Sequence, residues 1–454
     1  MVGRLLTCAD IRRHCQKKYG IIFRPVLYCL CTVAVWGQSA AKQRNYPAFE
    51  AFAGFIRILT SAPPANQQID YIDTAEDLVR VSELCRAADR IAIDTEADSL
   101  HHYFEKVCLI QISVGDAHLI VDPLAIDDLD PLLEVLAEKT LLFHGGDYDL
   151  HMLNEGYNFV PAGRVFDTML AAQLLGHEQL GLAALVERYF HIKLPKDSQK
   201  SDWSKRPLPQ KLLDYAMNDT RYLEQLVDIL ERELRRLGRI EWHREACDKM
   251  IETALRENVR DPEREWRVKG SSKLSPPELS VLRALWYWRD EEARRIDRPV
   301  FMVLGNRYLV DFAKWAVKNR GKAIDSSAGP KLPRNIRGRR LQGLNQTIRA
   351  ASNSPRSDYP AKRPPKRQKK FKGKPDDRVV AELSKVRDNL AEELQLPASV
   401  LAPKATLQAL SAEKPLSEEA MVDRCPMMQW QAHLLADVFL PILSRARENM
   451  GEEE

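Results

Sequence analysis

Two carboxylates stand one residue apart at the end of a short apolar run, in the segment Ile91–Glu96 (IAIDTE). Such a run is typical of a buried strand, and alternate side chains of a strand share one face, so Asp94 and Glu96 point the same way. Two acids this close repel each other unless a cation lies between them. The pair therefore favours a site for a divalent metal ion, although a solvated strand end gives the same pattern.

Two further acids lie on predicted helices, one in the first turn of its helix and the other on a helix face that is predicted to be buried. Asp149 follows Gly145 and Gly146 into the first turn of a predicted helix, a place that the helix dipole alone makes favourable for an acid. Asp219 follows Tyr215 by four residues, so both side chains share one helix face, and their apolar neighbours indicate that this face is buried. A buried acid needs a partner, which a metal ion would supply.

Together, these residue types suit the hydrolysis of a phosphodiester bond. The reaction needs an attacking water and a stabilised leaving oxygen, and two divalent ions about 3.5–4 Å apart serve both. Mg²⁺ and Mn²⁺ prefer oxygen ligands, which carboxylates provide. The predicted metal ligands are Asp94, Glu96, Asp149 and Asp219.

The elements that must position these residues lie between about residues 68 and 237, where strand and helix patterns alternate. The segments 107–114 and 117–121 form a predicted hairpin. A hairpin followed by β-α-β units favours an α/β fold, with a mixed sheet and flanking helices. The predicted strands are 91–95, 107–114, 117–121 and 141–144, and the predicted helices are 74–88, 131–138, 147–155, 168–175, 181–190 and 209–237.

The remaining chain is long enough for further domains, since it has 454 residues in all. Its pattern is helical, interrupted by the segment 362–374, which holds eight basic residues and no acid. The first 48 residues hold eight Lys or Arg and one acid, and a disordered extension or a start placed too far upstream explains them better than a targeting peptide. The predicted divisions are an N-terminal extension (1–67), a catalytic domain (68–238), a helical connector (239–273), a helical domain (274–350), a basic linker (351–376) and a second helical domain (377–454).

Net charge, cysteine spacing and the length of the apolar stretches disfavour several classes of protein. The net charge of +4 is too small to indicate a nucleic-acid partner by itself. None of the eight cysteines forms a C-x-x-C pair, which favours reduced thiols over a zinc site. Apolar stretches fall short of the roughly 20 residues of a membrane span. These features predict a cytoplasmic protein without a membrane partner.

The motifs D-x-E, a later aspartate and Y-x-x-x-D, in this order, resemble those of the DEDD superfamily of 3′→5′ exonucleases, in its tyrosine-bearing subgroup. Their surroundings (IDTE, VCLIQIS, FHGGDYDL, SDWSKRPL and YAMNDTRYL) are similar to the ribonuclease D family. The segment 274–323 resembles the helicase-and-RNase-D C-terminal (HRDC) domain, and 377–447 resembles a divergent second copy. The resemblance implies an RNase H-like mixed sheet followed by two small all-helical HRDC-like domains.

The same resemblance implies a site and an activity. The four acids would hold two divalent ions, Mg²⁺ or Mn²⁺, while Tyr215 would orient the attacking water and Glu96 would also hold the terminal 3′-hydroxyl. The implied enzyme is an exoribonuclease that trims single-stranded 3′ tails and releases nucleoside 5′-monophosphates. The implied partner is RNA, with tRNA precursors as the substrate, and the implied state is a monomer.

A basic loop at 199–208 precedes the helix of Tyr215. Beside an active site it predicts weak RNA contacts, and the other interpretation is a capped loop with a packed tryptophan. The residues concerned are Lys200, Trp203, Lys205 and Arg206.

Two other functions stay open from the sequence. A DNA 3′→5′ exonuclease has the same catalytic motifs. A non-catalytic RNA-binding module is disfavoured, because all four acids and Tyr215 are present.

Overall fold

A computed structural model of the protein describes residues 69–195, 198–256, 261–325, 329–362 and 373–451. The predicted N-terminal extension (1–67) and residues 363–372 of the predicted basic linker lie outside the described residues, and both segments stay predictions.

The catalytic part of the chain contains a mixed sheet of six strands in the order β1-β4-β3-β2-β5-β6. β3 runs antiparallel to both of its neighbours, and the other pairs are parallel. The predicted mixed sheet is confirmed. The two edge strands were not predicted, because β1 contains a charged residue, Asp70, and β6 has only three residues. The strands are β1 (Ile69–Ile72), β2 (Arg90–Ala97), β3 (Val107–Val114), β4 (Ala117–Val121), β5 (Thr140–Phe143) and β6 (Val165–Asp167).

Helices cover both faces of the sheet, because the central strands are apolar on both sides. Ile91 and Ile93 of β2 pack against the first three helices, and Ala92 packs in a core with α4, α5 and α7 on the other face. The predicted helix 209–237 is two helices that meet at Tyr222. The helices are α1 (Ala75–Ala87), α2 (Asp130–Ala137), α3 (Asp147–Tyr157), α4 (Thr168–Leu174), α5 (Leu182–Phe190), α6 (Gln210–Arg221) and α7 (Leu223–Arg236).

The first downstream helical unit has its own core. Trp266, Leu285 and Phe312 are fully buried within it. Its longest helix begins with a capping box, in which the Glu278 carboxylate accepts the backbone N–H of Ser275 at 2.7 Å. The connector and this unit comprise α8 (Ile240–Ala254), α9 (Pro262–Glu265), α10 (Pro276–Arg295), α11 (Val300–Val303), α12 (Asn306–Lys318) and α13 (Arg339–Ser352).

The second helical unit shares its core with the catalytic part of the chain. Trp430 stacks on Trp242 of α8 with ring centroids 4.5 Å apart. The guanidinium of Arg239 donates to the carbonyls of Leu174 and Leu394, at 2.8 and 2.7 Å, and so links the two parts directly. This unit comprises α14 (Asp377–Glu393), α15 (Ala398–Leu401), α16 (Lys404–Glu413), α17 (Glu418–Arg424) and α18 (Gln429–Gly451).

Among the described helices, none combines the length and the apolar character that a membrane span requires.

Candidate active site

Strand β2 and helix α6 bring three of the predicted acids together. Asp94 and Glu96 lie on the same face of β2, opposite Gln111 and Leu109 of β3. Asp219, near the end of α6, completes a group in which one carboxylate oxygen from each acid lies within 4.8 Å of the others. Strand and helix thus converge on one point, as the sequence predicts for residues that would share a metal ion.

The fourth acid, Asp149, lies beside this group and is fixed by Thr95, the residue between the two strand acids. Its carboxylate accepts the backbone N–H of Thr95 at 2.9 Å and the hydroxyl of Thr95 at 2.6 Å. Asp149 is buried in the first turn of α3. Sequence reasoning identified Asp149 but missed Thr95, although its place inside the D-x-E motif was a signal.

The turn before α3 is held by Asp167, at the end of β6. Its carboxylate accepts the backbone N–H groups of Gly145 and Gly146 at 2.7 and 2.9 Å, and the N–H of Leu170 at 2.9 Å. Gly145 has φ +72°, a left-handed conformation that other residues adopt only with strain. This turn delivers Asp149 to the site.

Burial raises the pKa of every acid in the site, and the charges of neighbouring site acids raise the pKa of Asp94, Glu96 and Asp219 further. For Asp94, burial acts first and then the charges of Asp149, Asp219 and Glu96. Burial, followed by the charges of Asp219 and Asp149, raises the pKa of Glu96 to about 9. The pKa values of Asp149 and Asp219 also rise, mainly through burial. Four oxygen donors that repel one another fit divalent cations, which would remove this cost.

Tyr215 is half-buried on α6, one turn before Asp219. Burial and the charges of Asp219 and the strand acids raise its pKa, so the phenol keeps its proton and can donate a hydrogen bond. The ring of Trp203 lies 6.1 Å from that of Tyr215 and is 1% exposed. The buried ring of Trp203 therefore packs beside Tyr215 and limits the movement of its ring.

The loop before α6 corrects part of the predicted RNA contacts. Trp203 is buried, so it offers no face to a base. Arg206 is exposed, but its guanidinium forms a bidentate ion pair with Asp122, with one N···O distance of 2.6 Å, and also donates to the carbonyls of Trp203 and Cys108. Its guanidinium holds the loop on the sheet. Lys200 and Lys205 are exposed and keep the proposed RNA contact.

A second loop, residues 98–106, connects β2 to β3 and contacts the first helical unit through Asp297. The Asp297 carboxylate accepts the backbone N–H groups of Tyr103 and Phe104 at 3.0 and 3.2 Å, and it pairs with His102 at 2.6 Å. Asp297 itself has φ +47°. Sequence reasoning missed this contact, because nearly 200 residues of chain separate its partners.

A buried polar chain fixes α6 on β3. The hydroxyl of Ser113 lies 2.8 Å from that of Thr220 and 2.9 Å from Nδ1 of His118. Thr220 is the neighbour of Asp219, so the chain sets the rotation of the helix end that carries the acid.

Comparisons with known proteins agree with this geometry. The family of 3′–5′ exonuclease domains matches residues 69–235, and the HRDC domain family matches 278–322 and 376–443. Ribonuclease D of Sphingobium indicum is 31% identical over 334 residues, which cover 71% of this chain and 82% of the relative. The chain belongs to the ribonuclease D family. It is a 3′→5′ exoribonuclease with HRDC domains downstream.

Two further likenesses fit the ribonuclease D family. The enzyme of Zymomonas mobilis is 36% identical over 247 residues, which span 62% of its length and 53% of this chain. The crystal structure of Escherichia coli RNase D superposes with a TM-score of 0.61 over 84% of this chain and 99% of that one, at 24% identity. The structural likeness shows a shared fold, including the helical region.

Proposed function

We propose that this protein is a metal-dependent 3′→5′ exoribonuclease that trims single-stranded 3′ tails of structured RNA precursors, tRNA precursors among them. The observation that carries the proposal is the convergence of Asp94, Glu96 and Asp219, with Asp149 alongside. Repelling carboxylates in a half-buried site are costly unless they bind cations.

The proposed metal ligands are these four acids, and the proposed ions are two of Mg²⁺ or Mn²⁺. When bound, such ions stabilise the attacking and leaving oxygens of a phosphodiester displacement. The chain's own residues do the rest. Tyr215, protonated and supported by Trp203, orients the attacking water through its hydroxyl, and Glu96 accepts a hydrogen bond from the terminal 3′-hydroxyl.

The proposed substrate is a single strand with a free 3′ end. The acids lie where β2, α3 and α6 converge, and the proposal expects only an unpaired terminal nucleotide to reach them. A base-paired stem would then stop the enzyme by shape, without any reading of sequence. The E. coli relative is an exoribonuclease involved in structured RNA processing, which supports structured RNA as the substrate class. The products are nucleoside 5′-monophosphates, and the acting unit is a monomer.

The test is a time course on a 5′-labelled RNA that carries a stem and a single-stranded 3′ tail, with Mg²⁺, Mn²⁺ or EDTA. Wild type should shorten the tail one nucleotide at a time and stop near the stem, and EDTA should abolish the reaction. Asp219→Asn should be inactive. Asp147→Asn is the matched control, because Asp147 is an exposed acid two residues from Asp149.

Two results would contradict the proposal. Activity that survives EDTA and Asp219→Asn would place the chemistry elsewhere. A matched DNA substrate that is degraded faster than the RNA would make the protein a DNA exonuclease.

A further inference from the structure

Strand β3 carries a buried glutamine directly opposite one of the site acids. Gln111 pairs with Asp94 in the antiparallel register of β3 and β2, so both side chains lie on the same face of the sheet. The Cβ atoms of residues paired in this way are about 4.5–5.5 Å apart. A glutamine side chain is long enough to bring its amide to the carboxylate of the acid across that distance.

The amide of Gln111 is buried and unpaired. The residue is 0% exposed. Neither its Nε2 nor its Oε1 has a hydrogen-bond partner among the described residues, and no other buried side chain in that part of the protein leaves two polar atoms unpaired. Burying an amide without a partner costs free energy, so the stability of the free protein does not explain this glutamine.

The other neighbours of the amide along the sheet do not supply a partner. The residue opposite it on β4 is Ile120, which is apolar. The next polar residue on this face of β3 is Ser113, whose hydroxyl already lies 2.9 Å from Nδ1 of His118 and 2.8 Å from the hydroxyl of Thr220. The polar group that the strand register places beside the amide is therefore the carboxylate of Asp94.

The carboxylate of Asp94 lacks a donor in turn. Asp149 accepts two hydrogen bonds from Thr95, whereas none of the described residues donates to Asp94. Burial and the charges of the other acids raise the pKa of Asp94, so its ionised form is disfavoured in the free protein. An amide N–H stabilises the ionised form without adding a charge, and a carboxylate that binds a cation keeps lone pairs that can accept it.

We propose that Gln111 is a positioning residue for the metal site, whose side-chain amide donates a hydrogen bond to the ionised carboxylate of Asp94 and holds it ready for a divalent cation. The inference rests on the proposed function, because it assigns Gln111 to the metal site formed by the same acids. Groups that orient a metal ligand in this way strengthen metal binding by roughly tenfold to a hundredfold. Because Gln111 is buried, it does not contact the RNA.

The test is Gln111→Met in the full-length protein, which keeps the length of the side chain and removes the amide. The dissociation constant for Mn²⁺, measured by calorimetry without RNA, should rise roughly tenfold to a hundredfold. Tm in EDTA should stay the same or rise, because the free protein loses no hydrogen bond. At saturating Mn²⁺, KM for a single-stranded RNA should be unchanged.

A matched control removes a buried glutamine amide that is fully paired. Gln431 is 5% exposed, donates to the carbonyl of Val400 at 2.7 Å and accepts the backbone N–H of Met428 at 3.0 Å. Gln431→Met should therefore lower Tm in EDTA and leave the affinity for Mn²⁺ unchanged. The two glutamine variants are thus expected to separate metal binding from stability in opposite ways.

Two results would overturn the inference. One is an unchanged affinity for Mn²⁺ in Gln111→Met, and the other is a fall of Tm in EDTA as large as that of Gln431→Met. Gln111→Leu, a second variant without the amide, should show the same loss of affinity and decides the question if Gln111→Met does not fold. Wild type that binds Mn²⁺ and shortens RNA keeps the proposed function intact in either case.

Discussion

The carboxylate of Asp149 accepts two hydrogen bonds from Thr95, one from its backbone N–H and one from its hydroxyl. Asp94 and Glu96 stand on either side of Thr95 in β2, so one residue ties the helix acid to the strand pair. Asp149 of α3 is therefore held in a fixed position relative to Asp94 and Glu96 of β2. A substitution of Thr95 should change the positions of these acids relative to one another.

Replacing Thr95 by valine should lower kcat by roughly tenfold to a hundredfold, because the loss of one hydroxyl lets Asp149 move and small misplacements are costly in catalysis. The measurement is single-turnover hydrolysis at saturating Mg²⁺. Thr95→Ser keeps the hydroxyl and should retain most of the activity. If Thr95→Val is as active as wild type, the backbone N–H alone suffices to hold Asp149.

The metal-free protein should lose stability as pH rises. The folded-state pKa of Glu96 is raised to about 9 and those of the other three acids are raised as well, so the native state holds protons that the unfolded chain has released. Stability contributed by these acids is thus complete below pH 4 and is lost progressively up to about pH 9. Thermal unfolding in EDTA at several pH values measures this slope.

Asp94→Asn should flatten that slope and raise Tm in EDTA, since it removes one of the repelling charges. Saturating Mg²⁺ should stabilise wild type and leave the variant nearly unaffected. A variant that is less stable than wild type in EDTA at pH 8 would show that the repulsion is compensated within the protein.

Tyr215→Phe should lower kcat by about a hundredfold or more with little change in KM, because the missing hydroxyl is proposed to orient the attacking water and not to hold the RNA. The ring packs against Trp203 in both proteins, so Tm should be unchanged. Mg²⁺ affinity, measured by calorimetry, should also stay the same. A large loss of metal affinity would instead make the tyrosine part of the metal site.

Asp297→Ala should loosen loop 98–106, because it removes the acceptor of two backbone N–H groups and the partner of His102. Hydrogen exchange at residues 101–104 should become faster, and kcat/KM should fall several-fold although Asp297 is outside the catalytic domain. Asp311→Ala, a partly exposed acid in the same helical unit, is the control. Unchanged exchange would show that the loop holds its shape alone.

Trp430→Ala should destabilise the protein by about 3–5 kcal/mol, as expected for truncating a buried tryptophan. Trp430 packs in one core with residues of α4, α5 and α7, so the catalytic domain should lose stability together with the second helical unit in a single transition. Val438→Ala, on the exposed face of the same helix, should change the free energy of unfolding by under about 0.5 kcal/mol. Two separate unfolding transitions, followed by calorimetry, would contradict the shared core.

Parts of the fold follow from local patterns, and others do not. The central strands β2 and β3 are near-continuous apolar runs, which indicate strands buried on both faces. β1 contains a charged residue and β6 has only three residues, and only pairing with β4 and β5 makes them strands. The single helix predicted at 209–237 breaks at Tyr222, because the two halves pack against different parts of the sheet.

The features of the site also fall into those that local sequence predicts and those that it does not. The types and spacing of its acids and of Tyr215 are local properties, so the sequence alone predicts the kind of chemistry and the residues that are proposed to carry it. The environment of each side chain depends on distant partners. Trp203 and Arg206 fit an exposed basic loop in the sequence, but in the structure Trp203 is buried beside Tyr215 and the guanidinium of Arg206 pairs with Asp122.

What the sequence by itself determined is the four central strands, the types of the predicted ligands and the likeness to a family, because periodicity and motif spacing are properties of neighbouring residues. What only the tertiary structure decided is which distant residues each side chain contacts. The bond between Asp149 and Thr95, the hold of Asp297 on loop 98–106 and the core shared by Trp242 and Trp430 each join residues more than 50 positions apart. Such contacts form only when folding brings distant segments together, and the local sequence preferences of each segment do not specify which segments will meet.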